Sequence, residues 1–312
     1  MSNIKSKAML VNLTTSHWTA KKFDAKVTKE IDETHGSENS GRFNKTLIIS
    51  DLLSDISSCI GKARTYHYKV TMAWDDAGPR LLPVTNYFDY TKKMEEFQIE
   101  HKDLVRKFLK EYPSLKENAR QRLNTLFNEV DYPDEQTLAL KFNLSYKITL
   151  IADEDDLRIS LSEDEIKEIK KNIQSSLSDR INNAKNSIVE RAETAIRAMH
   201  EKLIDNSATF RDSLVGNVIS LAELMPAMNF DDDKQFDWLE KKLMKFNIDP
   251  VKLRKNMDLR NKTAKKAKKL LKKIEAIHYG EKPVEYIEPV KTKKEKKEKK
   301  GKKNKKTKRI RK

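Results

Sequence analysis

Residues 163–204 read EDEIKEIKKNIQSSLSDRINNAKNSIVERAETAIRAMHEKLI, and this stretch decides the fold. It contains no glycine or proline, and neither occurs anywhere between Pro133 and Gly216. A helix over this stretch would be about 60 Å long at about 1.5 Å per residue, and such a helix needs a partner helix in cis or in trans. Its apolar residues recur at helical spacing: Ile166, Ile169, Ile173, Leu177, Ile181, Ala184, Ile188, Ala195, Met199 and Leu203.

The residues around this stretch extend the helical pattern on both sides. Ser162 and Glu165 have the spacing of a capping box, which predicts that the helix begins there. Residues 162–250 are therefore interpreted as a long helical hairpin, coiled-coil-like in character. Asp249 and Pro250 then suit the N-cap and first-turn positions of a further, basic helix over 251–278.

The first 161 residues differ in character and predict a small α+β unit. The apolar run at 9–13 indicates a strand, and alternation over 142–151 indicates another. Alternation resumes at 157–161 after an acidic loop, so the sequence predicts a β-hairpin. The fold class expected for the whole chain is thus α+β and helix-dominated.

Three further features of this unit carry structural predictions. Tyr66, Tyr68, Val70 and Met72 alternate with polar residues, which predicts a strand over 66–72 after a helix that ends near Gly61. The two prolines in 75–83 predict an irregular segment rather than a central strand. Pro113 is expected to interrupt the long helical pattern that starts near Tyr90.

Composition limits the class of protein. Cys59 is the single cysteine, so no intramolecular disulfide is possible and a reducing compartment is expected. No stretch of about 18 apolar residues occurs, and the amino end lacks an apolar run long enough for a signal peptide. The expectation is a cytoplasmic protein without membrane insertion.

Charge is distributed very unevenly along the chain. The whole chain carries a formal charge of +16, yet residues 291–312 alone carry +13, from thirteen lysines, two arginines and two glutamates. Segment 251–280 adds +9, while residues 1–250 carry only −4. A basic end on a mildly acidic body predicts a polyanionic partner.

The basic end supplies the main candidate binding residues. The segment 279–312 has almost no apolar residues and is expected to be disordered in isolation. The candidate nucleic-acid-binding residues are Lys265, Lys266, Lys268, Lys269, Lys272, Lys273, Lys293, Lys294, Lys296, Lys297, Lys299, Lys300, Lys302, Lys303, Lys305, Lys306, Lys308, Arg309 and Arg311. A basic amphipathic helix also suits an acidic protein or an anionic membrane surface, and the lysines could serve solubility alone.

A second, weaker candidate surface lies in the first unit. Arg42, Lys45 and Arg80 flank irregular loops, and Trp74 lies nearby in sequence. Cations beside an aromatic ring can combine phosphate contacts with base stacking. The alternative is that the aromatic residues of this region belong to the core.

The sequence offers no catalytic or metal-binding motif. It contains no phosphate-binding glycine loop, and no two of its six histidines have a metal-ligand spacing. Acidic clusters at 153–156 and 231–233 could hold a divalent ion, but a loop and a helix N-terminus explain them as well. The chain is therefore interpreted as a non-enzyme with no metal and no cofactor.

Several short segments resemble a family of uncharacterised tailed-bacteriophage proteins. The segments that carry the resemblance are Trp18 with Lys21-Lys22-Phe23-Asp24, Gly41-Arg42-Phe43-Asn44-Lys45, Trp74 with Gly78-Pro79-Arg80-Leu81-Leu82-Pro83, Tyr132-Pro133, and Phe210-Arg211-Asp212-Ser213-Leu214. The resemblance implies a phage product that acts in the bacterial cytoplasm. It implies no activity and no catalytic residue.

Two functions are consistent with these observations. The first is a sequence-independent nucleic-acid-binding protein that contacts DNA or RNA phosphates through its basic helix and tail. The second is a structural or adaptor protein that assembles through its long helices, as a homo-oligomer or with a helical partner, with the tail as an acidic-partner or solubilising arm.

Overall fold

A small antiparallel sheet organises the amino-terminal half of the chain. The computed structural model describes residues 3–74, 78–151 and 163–277, with side chains from 167 onward in the last range. The strands within these ranges are β1 (Ala8–Ser16), β2 (Lys21–Phe23), β3 (Asn44–Thr46), β4 (Met72–Ala73), β5 (Arg80–Pro83) and β6 (Asn143–Thr149). The main sheet has the order β4-β5-β1-β6, all antiparallel, and β2 pairs separately with β3.

Helices account for most of the described residues. They are α1 (Asn3–Lys7), α2 (Ala25–His35), α3 (Asp51–Val70), α4 (Tyr87–Leu123), α5 (Glu135–Ala139), α6 (Glu163–Ile204), α7 (Ser213–Met228), α8 (Lys234–Leu243), α9 (Pro250–Lys255) and α10 (Met257–Ile274). The α+β, helix-dominated class is therefore confirmed. The strands predicted at 9–13 and 142–151 correspond to β1 and β6, which pair with each other. The predicted second hairpin strand, 157–161, lies outside the described residues.

The predicted strand over 66–72 is wrong, because α3 continues through Gly61 to Val70. Gly61 lies within this helix and therefore does not mark its end, and the space beside it would accommodate a Cβ. Ala63, His67 and Val70 are buried at helical spacing, while Tyr68 is 56% exposed. The alternation over these residues was too short to distinguish a strand from one buried face of a helix.

Two predictions that were based on prolines are also wrong. The helix α4 runs through Pro113 without ending, because Phe108, Tyr112 and Ala119 bury its inner face on both sides of the proline. The lost backbone hydrogen bond costs about 3 kcal/mol or more, which this packing offsets. Residues 80–83 form β5 in the middle of the sheet, since Pro79 precedes the strand and Pro83 ends it.

The predicted long helix is confirmed as α6, and its partners lie in cis. The side of α6 that packs against α7 and α10 buries Ala184, Ile188, Ala192, Ile196, Met199 and Leu203. The long helix therefore finds packing partners within the same chain.

The two predicted halves of the chain contact each other. Arg191 on α6 donates hydrogen bonds to the carbonyl oxygens of Lys69 (2.8 Å) and Thr71 (3.3 Å). Residues 1–277 group into one compact unit. The predicted boundary at 161/162 falls outside the described residues, and the predicted division of this unit remains a prediction. Among the described ranges, no helix combines the length and the apolar character needed to cross a membrane.

Two buried histidines make stability sensitive to mild acid. His67 and His101 are 3% and 4% exposed. The Nδ1 atom of His67 lies 2.9 Å from the hydroxyl of Tyr90. Burial, with a smaller contribution from Arg80, lowers the pKa of His67 to about 4. Burial likewise lowers the pKa of His101, with a smaller contribution from His17.

We expect the free energy of unfolding to fall as pH drops from about 7.5 to about 5. In that window the unfolded chain binds protons at these histidines and the folded chain does not, so acid favours unfolding; His67 alone contributes about 2 kcal/mol. Urea unfolding at the two pH values measures the change. A His67→Gln variant should lose that share of the pH dependence, and an unchanged dependence would contradict the assignment.

Candidate nucleic-acid interface

The basic segment forms two helices rather than the single predicted one. Asp249 caps α9 by accepting from the backbone N–H of Val251 at 2.8 Å, and Pro250 occupies the first turn, as predicted. Asn256 then ends α9 and caps α10, since its side chain accepts from the N–H of Leu259 at 2.9 Å. This second cap fixes where the lysine-rich helix begins.

One side of α10 is packed against α6. Its buried residues are Arg260, Thr263, Ala264, Ala267, Leu270, Leu271 and Ile274. The amphipathic character predicted for this helix is therefore confirmed, although Met257 at its start is 42% exposed. Small residues such as Ala264 and Ala267 let α10 lie close to α6, which leaves its opposite side toward solvent.

The opposite side of α10 carries only cationic side chains over three turns. We call it the lysine face, and its members are Lys262, Lys265, Lys266, Lys268, Lys269, Lys272 and Lys273, all exposed. At about 100° per residue, all except Lys268 fall within an arc of about 120°, and the face is about 17 Å long. That length matches about five phosphates of one nucleic-acid strand at about 3.4 Å each.

These lysines have no acidic partners in the part of the chain that the structure describes. No carboxylate there lies within 4.0 Å of any ammonium group of the lysine face. Of the two nearby acids, Glu275 lies 3.3 Å from Arg197 of α6, and the exposed Asp258 lies one turn before Lys262. Seven exposed like charges without neutralisation repel one another, so an external polyanion would be favoured at this surface.

A cluster that the sequence interpretation missed continues the positive charge from α10 onto α8. Lys242 and Lys273 place their Nζ atoms 5.5 and 5.9 Å from the ring centroid of Trp238. Burial lowers the pKa of Lys242, and repulsion from Lys245 and Lys273 lowers it further. Sequence alone gave no signal for this cluster, because Trp238 and Lys273 lie 35 positions apart in the chain.

The structure does not bring the second candidate set onto one exposed surface. Lys45 is buried, 3.3 Å from Asp24 and 2.8 Å from Asp131. Trp74 is 4% exposed, with the guanidinium of Arg180 at 5.6 Å from its ring. Two of the four candidates are therefore parts of the core.

The remaining two candidates are Arg42 and Arg80. Arg42 is exposed and lies over the ring of Phe23 at 4.5 Å. Arg80 is half-buried, lies over Tyr68 at 4.6 Å and donates to the hydroxyl and carbonyl oxygens of Thr71. These contacts favour a structural role for Arg80.

The other sequence candidates have structural explanations where they are described. Lys185 lies 2.6 Å from Asp231 and 3.0 Å from Asp233, and Asp233 caps α8. Burial raises the pKa of the Cys59 thiol to about 11, which makes it a poor nucleophile. No metal-binding group of three ligands occurs in the ranges described. The acidic cluster at 153–156, the tail candidates from Lys293 to Arg311 and His278 lie outside them.

Comparison of the chain with protein-family models, with curated proteins and with solved structures finds no match. A function must therefore be argued from the chain's own residues.

Proposed function

We propose that this protein binds nucleic acid without sequence selectivity and without catalysis, through the lysine face and the basic tail. The observation that carries the proposal is the lysine face itself, seven exposed and unneutralised ammonium groups on one side of a packed helix. Each lysine that neutralises a phosphate releases condensed counterion, so affinity follows charge and not base sequence. The tail, in which residues 291–312 carry a formal charge of +13, would add contacts of the same kind.

Packing on α6 gives the lysine face an advantage over a free basic segment. The buried residues of α10 hold the helix in place before any ligand arrives, so binding need not order its backbone. The face would set where the strand lies, and the tail would extend the contact. If the resemblance to phage proteins holds, the ligand would be DNA or RNA in the bacterial cytoplasm.

Replacing Lys265, Lys266, Lys268, Lys269, Lys272 and Lys273 with glutamine tests the proposal. We expect the affinity of residues 1–277 for a duplex oligonucleotide to fall on the order of 100-fold at about 0.1 M salt. We also expect the slope of log affinity against log salt to decrease by about 3 to 4, since about four lysines can reach phosphates together. Gel shifts at several salt concentrations measure both quantities.

A matched control separates the lysine face from total charge. Lys92, Lys102, Lys107, Lys110, Lys141 and Lys147 are also exposed, and none has an acidic partner within 4.0 Å in the described ranges. Their replacement with glutamine removes the same charge and is expected to change the slope by less than about 1. Equal losses from the two variants would refute a defined interface. The full chain, measured beside 1–277, gives the contribution of the tail.

A second candidate function, an adaptor that assembles through helices, is favoured by one observation. The amino-terminal part of α6 leaves Ile169, Ile173 and Leu177 only half-buried, in an open groove shared with Trp74 and Leu10. A helix of a second chain could cover these residues. Light scattering on the intact protein distinguishes the two functions, because a monomer at high concentration would count against self-assembly.

A further inference from the structure

Trp238 is placed differently from the other tryptophans. It is half-exposed on α8, and no aromatic ring of the described residues packs against it. Trp18, by contrast, packs edge-on against Tyr112 at 6.0 Å, and Trp74 is buried. A large planar ring that is half in water and has no aromatic neighbour can accept a planar ligand on its surface.

The charges around Trp238 favour an anionic ligand. Lys242 and Lys273 hold ammonium groups near the ring, and Lys245 is close enough to Lys242 to repel it. No carboxylate of the described ranges lies within 4.0 Å of these three lysines. Asp237, the acid next to Trp238 in the sequence, accepts a hydrogen bond from Asn229 at 2.7 Å.

Lys273 belongs both to the lysine face and to this cluster. A strand whose phosphates follow the lysine face would therefore reach Trp238 at the carboxyl end of α10. The contacts of Lys242 and Lys273 with the ring are weak at an exposed site. Their ammonium groups can therefore leave the ring and contact phosphates. The ring surface is then free for a base.

We propose that Trp238, flanked by Lys242 and Lys273, stacks an unpaired base and makes the interface selective for single-stranded nucleic acid. This proposal rests on the proposed function and names its ligand more closely. Stacking on an aromatic side chain tolerates any base, whereas a base inside a duplex has both faces covered by its neighbours. The lysine face would bind both forms, and Trp238 would favour the single strand.

Trp238→Leu in the full chain tests the proposal. The leucine keeps the site apolar and removes no charge. We expect affinity for a deoxythymidylate oligomer to fall about 10-fold, with an unchanged salt slope, and affinity for a duplex of the same length to fall less than about 2-fold. Trp238→Phe, which keeps a ring, should lie between leucine and the original protein. Tryptophan fluorescence should be quenched by the oligomer, and the leucine variant should lose most of that quenching.

Controls separate stacking from stability and from the proposed function. Phe88→Leu removes another exposed ring, 79% exposed on α4, and should leave both affinities unchanged. Urea unfolding of each variant checks the fold. If the Trp238→Leu variant loses affinity equally for single strand and duplex, or loses affinity for neither, the stacking site is wrong. Phosphate binding is tested separately by the lysine variants. If the original protein binds neither ligand at low salt, the proposed function falls as well. Uridylate oligomers measured in parallel show whether the sugar matters, and a loss with either single strand that exceeds the loss with the duplex supports stacking.

Discussion

Arg260→Leu is expected to lower the free energy of unfolding by about 3 to 5 kcal/mol, which would make it one of the most destabilising substitutions of a single side chain here. Arg260 is 4% exposed and joins α10 to the end of α6. Its guanidinium donates to the carbonyl oxygens of Leu203 (3.1 Å), Lys202 (2.8 Å), Ala208 (2.8 Å) and Asp205. Leucine would remove the side-chain donor from these carbonyls at the negative end of the α6 dipole, and of the four only that of Asp205 is shown, within the described ranges, with a backbone donor outside the helix, the N–H of Ala208.

The neighbouring Arg254 provides a matched control. Both guanidinium groups lie over the ring of Phe210, at 5.4 Å for Arg260 and 5.5 Å for Arg254. Arg254, however, is 37% exposed and pairs with Asp212, which is 74% exposed. Arg254→Leu should cost less than about 1 kcal/mol, as exposed ion pairs do. Urea unfolding compares the two variants, and similar losses would mean that the carbonyl contacts of Arg260 contribute little.

Arg260 also shows how far the sequence could lead. The starts of α8 and α9 were predictable, because Asp233, Asp249 and Pro250 are local start signals that act within a few residues, whereas the break between α9 and α10 at Asn256 was not predicted. The use of Arg260 was not predictable, since its acceptors lie more than 50 positions away in the chain. In the sequence Arg260 counted only toward the net charge of segment 251–280 and was not among the candidate binding residues.

The errors in the first half have a similar origin. A strand over 66–72 was predicted from four alternating residues, but the packing of Tyr66 against Tyr90 and Phe97 belongs to the helix pair α3 and α4. Tertiary contacts override such local patterns when the segment is short. Pro113 was expected to interrupt the helical pattern for the same reason, because the residues against which Phe108, Tyr112 and Ala119 pack are distant in sequence.

The candidate interface was likewise predictable only in part. The lysine face was predictable, since spacing alone separates its exposed lysines from the buried alanines and leucines of α10. Trp238 and Lys242 could not be assigned to it, because only the packing of α8 near the end of α10 brings them to Lys273. Lys45 was assigned to a binding surface that it does not reach. Lys45 lies beside a loop rich in polar residues, and nothing in that sequence indicated that Asp24 and Asp131 would enclose its side chain.

Lys45→Met is therefore expected to behave as a stability variant and not as a binding variant. The side chain of Lys45 is 6% exposed, and those of Asp24 and Asp131 are 16% and 10% exposed. Burial opposes the charge of Lys45, but its hydrogen bonds with Asp131 and Asp24 outweigh burial and raise its pKa. Methionine keeps the volume and leaves two enclosed carboxylates without a cation, which should cost about 3 to 5 kcal/mol at neutral pH.

The pH dependence of this loss identifies its cause. In the original protein the pKa of Asp24 is low, chiefly because the N–H of Val27 donates to it and also because of Lys45. Without the lysine, the pKa of Asp24 should rise, and protonation in mild acid should relieve the repulsion between the two carboxylates. The difference in unfolding free energy between the two proteins should therefore shrink as pH falls from about 7 to about 4.5. A difference independent of pH would instead indicate lost packing.

Arg42→Gln completes the comparison, because Arg42 lies three positions before Lys45 and is exposed. Its replacement should change the unfolding free energy by less than about 0.5 kcal/mol. Urea unfolding and a salt-titrated gel shift on the same samples show whether a cation contributes to stability or to nucleic-acid binding. Lys45→Met should lose stability and, below its unfolding transition, retain nucleic-acid affinity. A folded Lys45→Met protein with full stability and weakened binding would place the interface on the first half of the chain.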